Sequence, residues 1–133
     1  MKNVLIVFTG GTFSMKIDDK TKAAVPFFQG DELISMMPEA RGLAKLSIYE
    51  FGNYPGPHIT PQRMFELSEK INSFLQQNIY DGIIVTHGTD TLEETAYFLD
   101  LTLETKIPIV VIGAMKTSSE PDWDAPKNLV DAI

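Results

Sequence analysis

The chain has 133 residues, 44% of them hydrophobic and 22% charged, which is ample apolar material for one folded core and argues against disorder. Eleven Lys and Arg stand against eighteen Asp and Glu, a formal net charge of −7, and no basic cluster is dense enough to follow a phosphate backbone, so nucleic-acid binding is disfavoured. Cysteine is absent, which excludes disulfides, thiolate metal sites and cysteine nucleophiles and suits the cytoplasm.

The amino terminus carries one lysine before the apolar run Val4-Leu-Ile-Val-Phe8, which ends in Thr9 and two glycines. A secretory apolar segment needs roughly 7–15 residues and a small-residue cleavage site. This shorter, β-branched run reads instead as a strand buried on both faces, and nothing in the chain approaches a membrane span. Gly10 to Gly30 shows no clean period and reads as a long loop with a small hairpin, of the kind that is usually functional or mobile. Asp31 to Met37 reads as a short helix stopped by Pro38.

Ala44 to Tyr49 alternates, as a strand nearer an edge does, and Phe51 to Thr60 reads as loop. Thr60 then caps a helix with Pro61 at its first position; Met64, Leu67, Ile71, Phe74 and Leu75 share one face at helical spacing. Gly82 to Thr86 is a third buried strand. Thr91-Leu-Glu-Glu94 has the form of a capping box, opening a helix whose apolar face carries Leu92, Ala96, Leu99 and Leu103. Pro108 to Gly113 is a fourth strand, Thr117 to Pro126 a loop, and Lys127 to Ile133 the start of a helix with no stop signal. The expectation is that the carboxyl-terminal part of a larger protein is missing.

Strands that are apolar runs, alternating with helices, predict an α/β fold: a parallel sheet with flanking helices in a three-layer, flavodoxin- or Rossmann-like arrangement. Ligands bind such sheets beyond the carboxyl ends of the strands. Three polar motifs fall there: T-G-G-T after the first strand, H-G-T-D-T after the third, and G-A-M-K-T-S-S after the fourth.

In Thr9-Gly-Gly-Thr12 the glycines let backbone approach a ligand closely, and their N–H groups suit an oxyanion or phosphate. Thr12 offers a hydroxyl nucleophile if a base removes its proton; it equally suits a turn in which that hydroxyl bonds nearby backbone. Thr89 and Asp90 sit between a strand end and a helix start, where anions are favoured. Asp90 is suited to helix N–H groups or to a substrate ammonium, and plain N-capping is the structural alternative. With Thr91 taken as the cap, Thr89 and Asp90 lack a structural task and lean toward function. His87 reads first as a packing residue, His58 is ambiguous, and two histidines without matching carboxylates make no metal site. Glu93 and Glu94 point in different directions on their helix and read as capping and solvated groups.

Together, F-T-G-G-T-F-S at Phe8–Ser14 and V-T-H-G-T-D-T-L-E-E-T-A-Y-F-L-D at Val85–Asp100 resemble the bacterial-type L-asparaginase family. Val111 to Lys116, and P-K-N-L at Pro126–Leu129, look like its next block. The resemblance covers essentially the whole chain and implies the family's amino-terminal catalytic domain over 1–133, without its carboxyl-terminal domain. It implies an amidohydrolase that needs no metal or organic cofactor and cleaves the side-chain amide of asparagine, with glutamine as a second candidate substrate. Thr12 matches the nucleophile that forms an acyl-enzyme, and Thr89 the second threonine, which polarises the amide and positions water. Asp90 matches the aspartate that holds the α-ammonium. Gly11, Gly56 and Gly88 fall among the substrate-binding positions, with the N–H groups of Gly11 and Thr89 expected to form part of an oxyanion cradle. The resemblance also implies a homo-oligomer, dimer or tetramer, with sites shared between neighbouring protomers, and no membrane or nucleic-acid partner.

Three departures from the family pattern stand out. The family lysine beside the second threonine comes from further along the chain, and Lys116 is not its counterpart. Tyr54-Pro-Gly-Pro-His58 carries Gly56 where the family usually has a serine that contacts the substrate carboxylate. No tyrosine occurs between Gly10 and Gly30, so a tyrosine-assisted activation does not carry over. Two other readings are the asparaginase-like component of a tRNA-dependent amidotransferase and a non-catalytic α/β module binding a phosphate or nucleotide. The second ranks last, since no phosphate-loop or dinucleotide pattern is present.

Overall fold

A computed structural model describes residues 1–133, apart from the side chain of Pro26. Four parallel strands form the main sheet in the order β4-β1-β5-β6: β1 is Asn3–Gly10, β4 Lys45–Tyr54, β5 Gly82–Thr86 and β6 Ile109–Ile112. Val4 lies beside Leu46 on one side and Gly82 on the other, Phe8 beside Glu50 and Thr86. With partners on both edges, β1 is buried from Val4 onward, as its unbroken apolar run requires.

Alternate residues of the strands feed two cores. Val4, Ile6, Phe8 and Ile84 pack with Leu33 and Ile34 of α1 (Gly30–Ser35), Ala40 of α2 (Pro38–Leu43) and Leu129 of α5 (Ala125–Ala132). Leu5, Val7, Ile83 and Val85 pack with Leu67 and Ile71 of α3 (Pro61–Leu75) and Leu99 of α4 (Leu92–Thr102). The sheet is therefore sandwiched between two helical layers, the three-layer α/β architecture expected. Each fully buried Leu or Ile contributes about 1.5–3 kcal/mol, so the two cores outweigh any single polar contact. Ser68 of α3 meets Thr102 of α4 hydroxyl to hydroxyl at 2.7 Å, joining the helices of the second layer.

Several boundaries differ from the sequence reading. Pro38 does not merely stop α1; it opens α2 as its first residue, where the fixed φ and missing N–H of proline do no harm. Strand β4 runs on to Tyr54, through residues read as loop, because Tyr54 still pairs with Gly10 past a bulge in β4 between Glu50 and Tyr54, and Gly56–His58 form a 3-10 turn. Between β1 and α1 the expected hairpin is present: β2 (Met15–Ile17) and β3 (Ala24–Pro26) are antiparallel. Its turn is held by Asp18, whose Oδ2 accepts from the Lys20 and Thr21 N–H groups. Thr60 caps α3 by accepting from the Arg63 N–H at 3.3 Å, as its place before Pro61 predicts. Among the described residues no helix is long and apolar enough to cross a membrane.

Candidate active site

At the carboxyl ends of the strands the backbone is drawn together by glycine. Gly11 follows β1 with φ +74° and ψ −173°, a region essentially closed to residues with a side chain. A Cβ on Gly11 would lie 2.4 Å from the Gly88 nitrogen, and one on Gly88 would lie 2.6 Å from the Cα and nitrogen of Gly56. Three loops, after β1, β4 and β5, thus meet backbone to backbone. The contact brings the 3-10 turn Thr12–Ser14 against the loop that carries Thr89 and Asp90. Gly56 faces Asp90: a Cβ there would come within 3.3 Å of the Asp90 Cβ and 3.4 Å of its nitrogen.

Most polar side chains around this junction have structural partners. Thr9 donates to the Thr86 carbonyl at 2.7 Å, Ser14 to the Asn53 Oδ1 at 3.3 Å, and Thr91 to the Gly56 carbonyl at 2.7 Å. His87 is wholly buried; its Nδ1 meets the Gly88 carbonyl and its Nε2 the Thr95 hydroxyl, each at 2.7 Å. Burial pushes its pKa below the ordinary histidine value, against the Gly88 carbonyl and Glu94. With both ring nitrogens engaged and the ring neutral, His87 is a packing residue. Lys116 pairs with Asp122. By contrast, among the described residues the side chains of Thr12, Thr89 and Asp90 make no hydrogen bond, and Thr89 and Asp90 are exposed on the rim. The Thr86 hydroxyl at the end of β5 also lacks a partner but is wholly buried; the uncommitted groups of this junction that are not fully buried are Thr12, Thr89 and Asp90.

Two local expectations need correction. Thr91 stands at the N-cap of α4, but its hydroxyl makes no capping bond; the Gly56 carbonyl takes it instead, and Glu94 is exposed. The N–H of Gly11 is not available to an oxyanion, because it donates to the Tyr54 carbonyl at 2.9 Å. Gly11 serves the site by close approach. His58 is exposed, with its carbonyl taken by Arg63, and among the described residues no three His, Asp or Glu side chains group as metal ligands.

Sequence reasoning could not see the fourth wall of the rim. Gly113, just after β6, lies so close to Thr89 that a Cβ on it would be 2.8 Å from the Thr89 Cγ2. The G-A-M-K motif marked this loop as a rim segment but not its contact. Well-formed grooves lie elsewhere: one of about 510 Å³, lined by Phe74, Tyr80 and Lys106, at the amino ends of the strands, and one of about 370 Å³ beside β6.

The fold is a three-layer α/β domain, and the loops that carry Thr12, Thr89 and Asp90 meet at the carboxyl edge of its parallel sheet. The family described as "Asparaginase, N-terminal" matches residues 3–133, and the chain belongs to that family. It is 40% identical to the L-asparaginase of Bacillus licheniformis, over 99% of this chain and 41% of that protein. It is 34% identical to a glutamyl-tRNA(Gln) amidotransferase component of Methanococcus vannielii, over 100% of this chain and 31% of that one. The crystal structure of a "Probable Cytoplasmic L-asparaginase" from Campylobacter jejuni superposes with a TM-score of 0.90 at 37% identity, covering 99% of this chain and 40% of that one. The chain thus spans well under half the length of these relatives.

Proposed function

We propose that residues 1–133 are the amino-terminal catalytic domain of a cytoplasmic amidohydrolase that converts L-asparagine to L-aspartate and ammonia. The observation that carries this reading is the meeting of Gly11, Gly56 and Gly88, which gathers the loops of Thr12, Thr89 and Asp90 at one rim. In the proposed reaction the Thr12 hydroxyl attacks the side-chain amide carbon and gives up its proton. The C–N bond breaks, ammonia leaves with a proton, and an ester to Thr12 remains. Water positioned by Thr89 then hydrolyses the ester, releasing aspartate and restoring the hydroxyl. Asp90 holds the α-ammonium by charge-assisted hydrogen bonding, and the N–H of Thr89 is the candidate oxyanion donor.

A threonine hydroxyl needs a proton acceptor near neutral pH, and His87, with both nitrogens engaged, does not supply it. The base therefore comes from outside the residues so far assigned. This agrees with the chain spanning 41% of its Bacillus licheniformis relative, and with a carboxyl-terminal domain, in a homo-oligomer, completing the pocket. The 133-residue chain alone is then expected to release little or no ammonia.

The test is ammonia release from asparagine and glutamine by the full-length protein. Thr12→Ala and Thr89→Val should each lower kcat at least about a thousandfold; retained turnover in both variants overturns the mechanism. A second reading, a component that feeds ammonia to an amidotransferase, is favoured by the similarity to the Methanococcus vannielii protein. Ammonia release with neither partner nor tRNA separates the two.

A further inference from the structure

The loop that walls Thr89 is held from behind by the first turn of α5. Asp124, the residue before that helix, accepts the Met115 N–H at Oδ2 (2.9 Å) and the Lys116 N–H at Oδ1 (3.0 Å). One turn on, the Asn128 Nδ2 donates to the Gly113 carbonyl at 2.9 Å and reaches the Asp124 Oδ2 at 3.4 Å. Residues 113–116 therefore hang from two side chains of one helix start. Burial works to raise the Asp124 carboxyl, and the Met115 and Lys116 N–H groups overcome it, leaving the group below its ordinary value and ionised.

Thr89 carries a methyl and a hydroxyl on one carbon, so whatever excludes the methyl from a position also decides where the hydroxyl points. Among the described residues no hydrogen bond sets that hydroxyl, and Gly113 stands beside the methyl with no room for a Cβ between them. We propose that Asp124, with Asn128, is a positioning residue for Thr89, selecting its rotamer by fixing Gly113 against the Thr89 methyl. This rests on the reading of Thr89 as a reacting-site residue. Neither Asp124 nor Asn128 touches substrate in this account.

The experiment uses the full-length protein with threonine methyls isotopically labelled, reading the Thr89 χ1 from methyl couplings alongside asparagine kinetics. Asp124→Ala should convert Thr89 from one rotamer to an average of several. It should lower kcat about 10–100-fold while KM stays within about threefold. Asp124→Asn, which keeps the shape but offers one acceptor oxygen, should fall between and remains informative if the alanine variant does not fold. Lys127→Ala, on the exposed side of α5, should change neither reading. A Thr89 that keeps its single rotamer in the Asp124 variants overturns the proposal, whatever kcat does. Should the unmodified protein release no ammonia, the functional reading fails by itself, and the rotamer measurement still decides the role of Asp124.

Discussion

The hydroxyl of Thr91 donates to the carbonyl of Gly56 at 2.7 Å, tying the start of α4 to the turn that follows β4. The Gly56 carbonyl belongs to a buried residue and also takes the Ile59 N–H at 3.0 Å, so losing the Thr91 hydroxyl removes one of two donors, at a net cost of about 0.5–1.5 kcal/mol. Thr91→Val should therefore destabilise the protein by about that amount in urea titration, while Thr91→Ser, which keeps the hydroxyl, should cost much less. Glu94→Ala, the change that would hurt most in a capping box, should stay within about 0.5 kcal/mol. A larger loss for Glu94→Ala than for Thr91→Val would reverse the assignment.

Glycine-to-alanine changes at the junction should rank by geometry. Gly11→Ala meets both a forbidden backbone conformation and the Gly88 nitrogen at 2.4 Å, and should cost about 3 kcal/mol or more. Gly56→Ala meets only contacts of 3.3–3.4 Å in ordinary backbone, and should cost about 1 kcal/mol or less. Thermal melts of the two variants give the order directly; equal losses would mean that the close approach of the loops is not what holds the rim.

Gly56→Ser tests the departure at this position for its effect on substrate. Its Cβ would face Asp90, and one added hydrogen bond to the substrate carboxylate, about 1 kcal/mol net, should lower the asparagine KM about fivefold with kcat nearly unchanged. An unchanged KM would mean that the hydroxyl does not reach the substrate.

His87 predicts a pH dependence of stability with a definite sign. Burial holds the folded ring below the ordinary value of 6.5, so on acidification the unfolded chain takes up this proton first. The stability contributed by the neutral ring is complete above that value and is lost as pH falls toward the depressed folded value, with a slope of at most about 1.4 kcal/mol per pH unit. Urea unfolding between pH 7.5 and 5 should show a shallower decline for His87→Gln than for the parent protein. Parallel declines would mean that His87 is not buried in its neutral form.

The sheet was legible because its evidence is local. Val4–Phe8, Gly82–Thr86 and Ile109–Ile112 are apolar runs that no other element accommodates, and Met64, Leu67 and Ile71 repeat at helical spacing. Errors arose where a distant segment decided the outcome. Gly52 and Asn53 look like loop residues, and only the pairing of Tyr54, beyond them, with Gly10 of β1 keeps them in β4. Thr91 and Glu94 fit a helix-start pattern, yet the acceptor that wins is 35 positions away, at Gly56. The rim was foreseeable as a place, because parallel sheets gather loops at one edge. Its inner contacts, Gly11 to Gly88 and Gly113 to Thr89, depend on register and on close backbone approach, which no short window of residues encodes.

The register of β1 also governs how the molecule reaches this state. Val4 pairs with Gly82 and Asn3 with Lys45, so the central strand waits for chain synthesised or diffusing far from it. Parallel pairings of such separation cost loop-closure entropy before any contact offsets it, and they slow folding. Helices α3 and α4 gain much of their hydrogen bonding locally, whereas the threonine rim comes into being only once β1, β4 and β5 have found one another.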